Sequence, residues 1–310
     1  MTAPTEGRSD KGRPEGGSAD GQRHADVAAT RVPTFDVRHE TRAAMVVWQR
    51  ELIRFGKDRT RMVSSLVQPL LFLLVLGVGL GSLVGSGAGA GGGSVRFTAF
   101  LFPGVLAMSV GFTAAFSGIS MVWDREFGFL REMLVAPVST TAIITGKCFG
   151  GATVSTIQSV VLLALAGLVG VPYSPVMLLE LVGLLFICSF MIVAFGLVLA
   201  ARVKQVQSAF PLVQMIITPM IFLSGALFPL SGLPAWLTVL THINPMTYAV
   251  EPMREIVFDH LQVDAATRAR FDPGIMWGTW HVPFWAQLGV VVVGSIVLLF
   301  VAVARFARTE

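Results

Sequence analysis

Apolar residues in this chain are gathered into stretches long enough to cross a bilayer, separated by short polar breaks. A hydrocarbon core about 30 Å thick takes roughly 20 residues of helix. Six stretches qualify, at about 62–83, 98–122, 142–170, 176–200, 207–229 and 282–304. The third is long enough to start as an elbow on the membrane surface before turning in. Gly85–Gly93 reads as a glycine-rich flexible loop, and Val171–Pro175 as a tight outer turn. Pro234 and Asn244–Pro245 bracket a shorter apolar run, Ala235–Ile243, which cannot cross; Glu251, Arg254 and Glu255 follow it. Two short helices in a re-entrant hairpin at the outer face are predicted there. The predicted fold class is an all-α polytopic membrane protein.

Two polar segments precede the first stretch. Residues 1–35 are rich in Gly, Ser, Pro and Asp and nearly lack large apolar side chains, so a disordered tail is predicted. It has no apolar signal-peptide region. Its basic residues (Arg8, Lys11, Arg13, Arg23, Arg31) are balanced by Glu6, Asp10, Glu15, Asp20 and Asp26, which argues against a nucleic-acid arm. Residues 36–61 form the second segment, with an apolar stripe of Ala44, Trp48, Leu52 and Phe55. Arg42, Arg50, Arg54, Lys57 and Arg59 lie mostly elsewhere on the wheel, as in a helix resting on anionic headgroups or a partner. Glu51 falls on the apolar side, within pairing reach of Arg54.

Composition supports the membrane class: 54% of residues are hydrophobic and 14% charged, against about 25% charged in soluble domains. Charge placement sets the orientation. With both termini in the cytoplasm, 19 of the 23 Lys and Arg residues fall on the inner side, leaving Arg96, Arg254, Arg268 and Arg270 outside. Positive-inside bias therefore predicts six spans with both ends cytoplasmic.

The segment Trp123–Pro137 then becomes the first intracellular loop. Asp124, Arg125, Glu126, Arg131 and Glu132 place five charges within nine residues. Burying all of them in lipid would cost on the order of 12–17 kcal/mol, so water or another protein is the expected surrounding. Phe127, Leu130 and Leu134 give the segment an apolar edge at helical spacing. A short amphipathic helix held between two spans is suited to docking a soluble partner.

Other chemistry is sparse. Cys148 and Cys188 read as small apolar packers, and the five histidines are scattered without metal-ligand spacing. Gly146-Lys147-Cys148 lacks the glycine offset and the Ser/Thr of a Walker A loop, so no ATP site is legible. Glu180 is the one acid inside a predicted span; it either lines a pathway, snorkels outward, or packs protonated against a neighbour. Gln158 and Gln214 either line a pathway or join helices by hydrogen bonds. Pro219 is expected to kink the fifth span and open space beside Thr218 and Ser224. Gly77 and Gly81 are spaced as a close-packing face.

Three motifs in order resemble the ABC-2-type permeases: FGKDRTR at 55–61 leading into Gln68-Pro69, REFGFLREMLVAPVS at 125–139, and FLSGALFP at 222–229 with Leu233-Pro234. Asn244, Pro245, Tyr248 and Arg254 continue the third motif, and the resemblance covers roughly 40–305. It is nearest to the daunorubicin-resistance permease group, related to nodulation-factor and polysaccharide exporters. The resemblance implies an amphipathic connecting helix, six spans, a coupling helix in the first intracellular loop and short outer helices before the last span. It also implies a separate ABC ATPase subunit that binds ATP and Mg, and a second copy of the permease. Candidate coupling residues are then Asp124, Arg125, Glu126, Phe127, Gly128, Leu130, Arg131, Leu134 and Pro137. Where the group carries a helix-friendly run, Glu251-Pro252-Met253-Arg254 departs from it, so an earlier helix break is expected. A membrane-embedded lipid- or sugar-modifying enzyme would need clustered His, Asp or Glu at a membrane face, which the sequence lacks. A channel or assembly protein would work without an ATPase.

Overall fold

The computed structural model describes residues 37–77, 79, 97–129, 138–230, 232–261, 268, 274–277 and 280–308. The predicted tail, the loop Gly85–Gly93, Gly81 and the coupling candidates Leu130, Arg131, Leu134 and Pro137 lie outside the described residues.

Described in chain order, the helices are α1 (Val37–Lys57), α2 (Arg59–Leu71, continuing into a π-helical turn Phe72–Leu76), α3 (Phe97–Glu126) and α4 (Thr140–Leu163). They are followed by α5 (Pro175–Ala200), α6 (Val206–Phe222), α7 (Ala235–Ile243), α8 (Thr247–His260) and α9 (Phe284–Ala307). A two-residue antiparallel hairpin, β1 (Met276–Trp277) and β2 (Trp280–His281), precedes α9 and departs from the all-α expectation. By length and apolarity three helices can cross a membrane: α3, α5 and α9. A fourth crossing follows if α1 and the stretch Met62–Leu76, which meet at 74°, count as one broken span. The chain is thus a multi-pass helical membrane protein. Two stretches that the hydropathy pattern had suggested as spans fall short of this test. α4 carries Lys147, Gln158 and a run of Gly, Ser and Thr, and α6 has only 17 residues.

α3 is the axis of the fold. Its most apolar window is 89% buried, against 22% for α9, so α3 is wrapped by protein while α9 faces lipid. α3 packs most extensively on α5, and α4 lies against both. Glycines make that approach possible: a Cβ on Gly118 would sit 2.6 Å from the Gly196 carbonyl carbon, and one on Gly196 would sit 2.9 Å from the Ala115 oxygen. Membrane helices gain little from burying apolar surface against one another, so such close backbone contact supplies the attraction. Two buried hydroxyls of α4 bond within the helix, Ser155 to Gly151 O at 2.8 Å and Thr156 to Ala152 O at 2.7 Å.

Several boundaries differ from the hydropathy reading. α3 runs one turn further, to Glu126, because its last charged residues find partners inside the protein. α4 is continuous from Thr140, capped by Ser139, so there is no surface elbow; its first turns are instead packed under α1. α6 stops at Phe222, where Ser224 donates to Ile221 O at 2.6 Å and Gly225 turns with φ +75°. α8 continues through Pro252 without breaking. Of the glycine pair noted in the first span, Gly77 packs tightly, its added Cβ falling 2.6 Å from Thr98 Cγ2. Cys148 and Cys188 are both free and buried.

Gly118→Ala is expected to lower the thermal unfolding midpoint of the detergent-purified protein, by the equivalent of about 1–3 kcal/mol. Gly183→Ala, whose added Cβ has nothing within 4 Å, is expected to leave the midpoint unchanged.

Candidate functional site

The densest polar chemistry lies where α1, the end of α3 and the start of α4 meet. Lys147 on α4 is 2% exposed, and its ammonium lies 2.5 Å from Asp124 Oδ2 and 3.0 Å from Glu51 Oε1. It also donates to Ser120 Oγ at 3.1 Å. Arg50 on α1 closes the cluster, its Nη2 reaching both Asp124 oxygens at 2.7 and 2.8 Å. Two cations thus meet two carboxylates drawn from three helices, with no net charge. Isolated, each buried ion would lose several kcal/mol of solvation, and only mutual pairing offsets this.

Local sequence explains the assembly. Gly146 and Gly150, one helical turn apart on α4, leave a trough for α1. A Cβ on Gly146 would fall 2.5 Å from Ala44 O, and one on Gly150 would fall 2.8 Å from Glu51 Cβ. The packed face of α1 accordingly centres on Val47 and Glu51, flanked by Trp48, whose Nε1 donates to Thr153 Oγ1 at 3.1 Å. This rotates the helix from the apolar stripe through Leu52 and Phe55 and corrects the expected Glu51–Arg54 pair. Arg54 and Arg59 are exposed, whereas Glu51 pairs with Lys147 and approaches Arg50 at 3.9 Å. At the other end of α1, Glu40 accepts from the hydroxyl and amide of Ser139, the cap of α4.

The three first-loop charges among the described residues, Asp124, Arg125 and Glu126, each find a partner within the chain; Glu126 is also exposed, whereas Asp124, buried, departs from the expected water or partner. Asp124 is 2% exposed inside the cluster. Arg125 Nη1 donates to Val203 O at 3.2 Å and Ala201 O at 3.5 Å, capping the C-terminus of α5, and its guanidinium lies 5.3 Å from the Phe306 ring centroid. Glu126 Oε2 accepts from Val206 N at 2.7 Å, at the N-terminus of α6, where a helix dipole favours a carboxylate. What points outward is apolar: Phe127 is 61% and Phe129 52% exposed, with Trp123 against the Phe127 ring at 5.5 Å. Gly128 turns the chain between them at φ +81°.

The four pathway candidates separate. Gln158 is buried and donates to Ser65 Oγ, joining the third apolar stretch to the first. Ser224 is buried in the turn after α6. Gln214 is exposed on α6, bonded to Thr218 Oγ1 at 2.8 Å. Glu180, at the surface of α5, lines a cavity of about 540 Å³ with Glu255, Asp259, His260, Phe284 and Trp285.

The predicted outer hairpin is stitched to the end of α6. Asn244 Nδ2 donates to Met220 O at 2.6 Å, and its Oδ1 accepts from Met246 N across Pro245. Tyr248 donates to His242 O at 2.9 Å and accepts from Trp277 Nε1 at 3.1 Å, tying the β-hairpin to α7 and α8. Arg254 is fully buried: it pairs with Glu251 at 2.8 Å, donates to Gly225 O at 2.5 Å and lies over the Phe100 ring at 4.6 Å. The pair with Glu251 forms because the helix runs through Pro252, against the expected earlier break. Among the described residues, no group of three or more His, Cys, Asp and Glu is placed to hold a metal ion.

An amphipathic helix locked by ion pairs to the ends of two neighbouring helices, above an apolar protrusion, defines a multi-pass membrane protein with a built junction on one face. Residues 42–258 match the ABC-2 type transporter family, and the chain belongs to that family. It is 27% identical over 211 residues to a putative transport permease ycf38 of Cyanophora paradoxa, covering 67% of this chain and 72% of the relative. Nodulation protein J of Rhizobium leguminosarum bv. trifolii is 28% identical over 224 residues, covering 71% of this chain and 83% of the relative. A probable multidrug ABC transporter permease, YbhR of Escherichia coli K12, is 30% identical over 168 residues, 53% of this chain and 45% of the relative.

Lys147→Met alone leaves two buried carboxylates facing one arginine, and is expected to destabilise the protein by about 3–5 kcal/mol. Adding Glu51→Leu restores one cation to one anion, so the double variant is expected to recover most of that loss. A double-mutant cycle on the unfolding midpoint checks the sign of the coupling.

Proposed function

We propose that this chain is the membrane-spanning subunit of an ABC exporter in the cell membrane, carrying an amphipathic drug, lipid or glycolipid out of the cytoplasm. Membership of the ABC-2 family implies association with an ABC ATPase subunit. In this reading that subunit binds ATP and Mg, and the permease contributes no catalytic group.

The observation that carries the reading is the ionic junction. It joins the connecting helix α1 to the end of α3 at the point where the apolar loop emerges. A partner that grips Phe127, Gly128, Phe129 and the residues through Pro137 thereby pulls on α1, α3 and α4 together. Arg125 and Glu126 extend the same grip to α5 and α6. Asp124, Arg125 and Glu126 act here as anchors of the handle rather than as contacts to the partner. ATP binding on the partner biases the spans towards one of two states by differential affinity.

Six crossings, by α2, α3, α4, α5, α6 and α9, put α7 and α8 at the outer face and both termini in the cytoplasm, as the distribution of basic residues favours. A second copy is supported by surfaces left open on the two helices flanking α3. α2 exposes Gln68 beside Val67 and Leu71, and α6 exposes Gln207 and Gln214 beside Phe210 and Met215. Amides facing lipid are costly. Two such mixed faces around a shared pathway suit a cargo with both polar and apolar parts. Glu180 and its acidic, aromatic cavity lie apart from that pathway.

Phe127→Ala with Phe129→Ala is expected to weaken association with the ATPase subunit about tenfold or more, measured by co-purification and by permease-dependent ATP hydrolysis, with the unfolding midpoint unchanged. Intact coupling would exclude this handle. In a variant lacking Cys148 and Cys188, Phe129→Cys is expected to react with a permeant maleimide and to resist an impermeant one added to intact cells. Labelling by the impermeant reagent would reverse the orientation.

A further inference from the structure

A second polar feature lies beside the junction and is not used by it. The C-terminal ends of α3, α5 and α9 and the start of α6 surround a cavity of about 550 Å³ lined by Arg125, Glu126, Ala201, Arg202, Lys204 and Arg305. Among the described residues lining it, four are cationic and one is a carboxylate, and that carboxylate is bonded to the Val206 amide. The Arg125 guanidinium is held in place by two backbone carbonyls and the Phe306 ring, so part of the site is pre-formed. Arg202 and Lys204 stand exposed on the link between α5 and α6.

Position decides what such a site would bind. All four cations lie in or next to the last turn of a membrane-embedded helix, which is the depth of lipid headgroups. One wall is α9, the most lipid-exposed of the three spans. Above Arg305, α9 presents Val290, Val293, Ile296, Val297 and Phe300 to the bilayer, each at least 42% exposed. A molecule filling the cavity therefore meets positive charge at one end and an apolar helix face at the other. Basic pockets between helix ends at a membrane face suit phosphate headgroups.

We propose that this cavity is a binding site for an anionic phospholipid, with the phosphate held by Arg202, Lys204, Arg125 and Arg305 and the acyl chains lying along α9. The bound lipid pins the α5–α6 link to the ends of α3 and α9, adding to the bonds that Arg125 and Glu126 already make to that link. The site rests on the orientation argued above only for which leaflet supplies the lipid.

The test is native mass spectrometry of the full-length protein in mild detergent, titrated with phosphatidylglycerol, phosphatidylcholine or inorganic phosphate. Wild type is expected to retain phosphatidylglycerol in clear preference to phosphatidylcholine. Arg202→Gln with Lys204→Gln is expected to weaken that retention about thirty-fold, and Lys204→Gln alone about five-fold, with phosphatidylcholine unaffected and the unfolding midpoint unchanged. Equal retention of the two lipids, or unchanged retention in the double variant, overturns the proposal. Displacement of the lipid by inorganic phosphate at equal concentration assigns the cavity to a free anion and overturns it too. So does a double variant that keeps phosphatidylglycerol but loses the ATPase subunit, since the surface then belongs to that protein. The measurement in detergent is blind to orientation, so its failure is distinct from a reversed topology, which the labelling at residue 129 reads.

Discussion

Lys147 holds together the junction of α1, α3 and α4. Its ammonium is nearly sealed from solvent between Asp124 and Glu51, and Arg50 shares the pairing of Asp124. The partners come from α1, α3 and α4, so the cluster ties three helices at one point. The ions do not make the protein stable in the sense that apolar packing would; replacing a buried ion pair with apolar groups is often neutral. What they impose is register. Only one sliding position of α1 on α4 brings Glu51 to Lys147, and Gly146 and Gly150 open the trough at that position.

Register matters because of what is attached. α3 is enclosed by neighbours along most of its length and ends in three successive charges, each bonded to a different element: Asp124 to α1 and α4, Arg125 to the end of α5, Glu126 to the start of α6. A displacement applied just beyond Glu126 is therefore delivered to five helices by short polar bonds rather than through a soft loop. Stiff connection is not by itself a switch; the bias between states has to come from a ligand with unequal affinity for them. The geometry supplies the connection and leaves the bias to the partner.

Much of this was readable in the chain, for reasons that also explain what was not. Long apolar runs announce their helices because the bilayer demands length, and α3, α5 and α9 sit close to their predicted bounds. The interfacial helix was visible as a periodic stripe, but its exact facing was not. Hydropathy counts Glu51 as an error on the apolar side, whereas its true partner lies 96 residues away on another helix. The same blindness assigned Asp124 to water or another protein, since a transfer cost per residue takes no account of pairing within the chain. Gln158 and Ser224 stood out because polar atoms in apolar runs are conspicuous, and for Gln158 a pathway role and a helix-joining bond were equally compatible with the chain. The structure uses them to satisfy helix–helix and turn bonds, a distinction that needs three-dimensional neighbours. The glycine trough was hidden too, because glycine is frequent in membrane helices and spacing alone does not say which pair is approached.

The end of the fold that carries α7 and α8 is built on a different principle from the end that carries the ionic junction. α7 and α8 are too short to cross, so their termini and that of α6 leave carbonyls where water is scarce. Side chains from the hairpin take them up: Asn244 binds Met220 O, Thr247 binds Thr241 O, and Arg254 binds Gly225 O. These bonds join the hairpin to the end of α6, so moving α6 alone would strand Met220 and Gly225 without partners. The economical displacement keeps α6, α7 and α8 together as one unit against α3, where Gly104 and Phe100 receive the turn at Ala226 and the guanidinium of Arg254. Glu126 caps the same α6 at its other end. α6 is thus bonded to Glu126 at its start and to the α7–α8 pair at its end, and α3, which carries Glu126 and receives Arg254 at Phe100, links the same two ends of the fold.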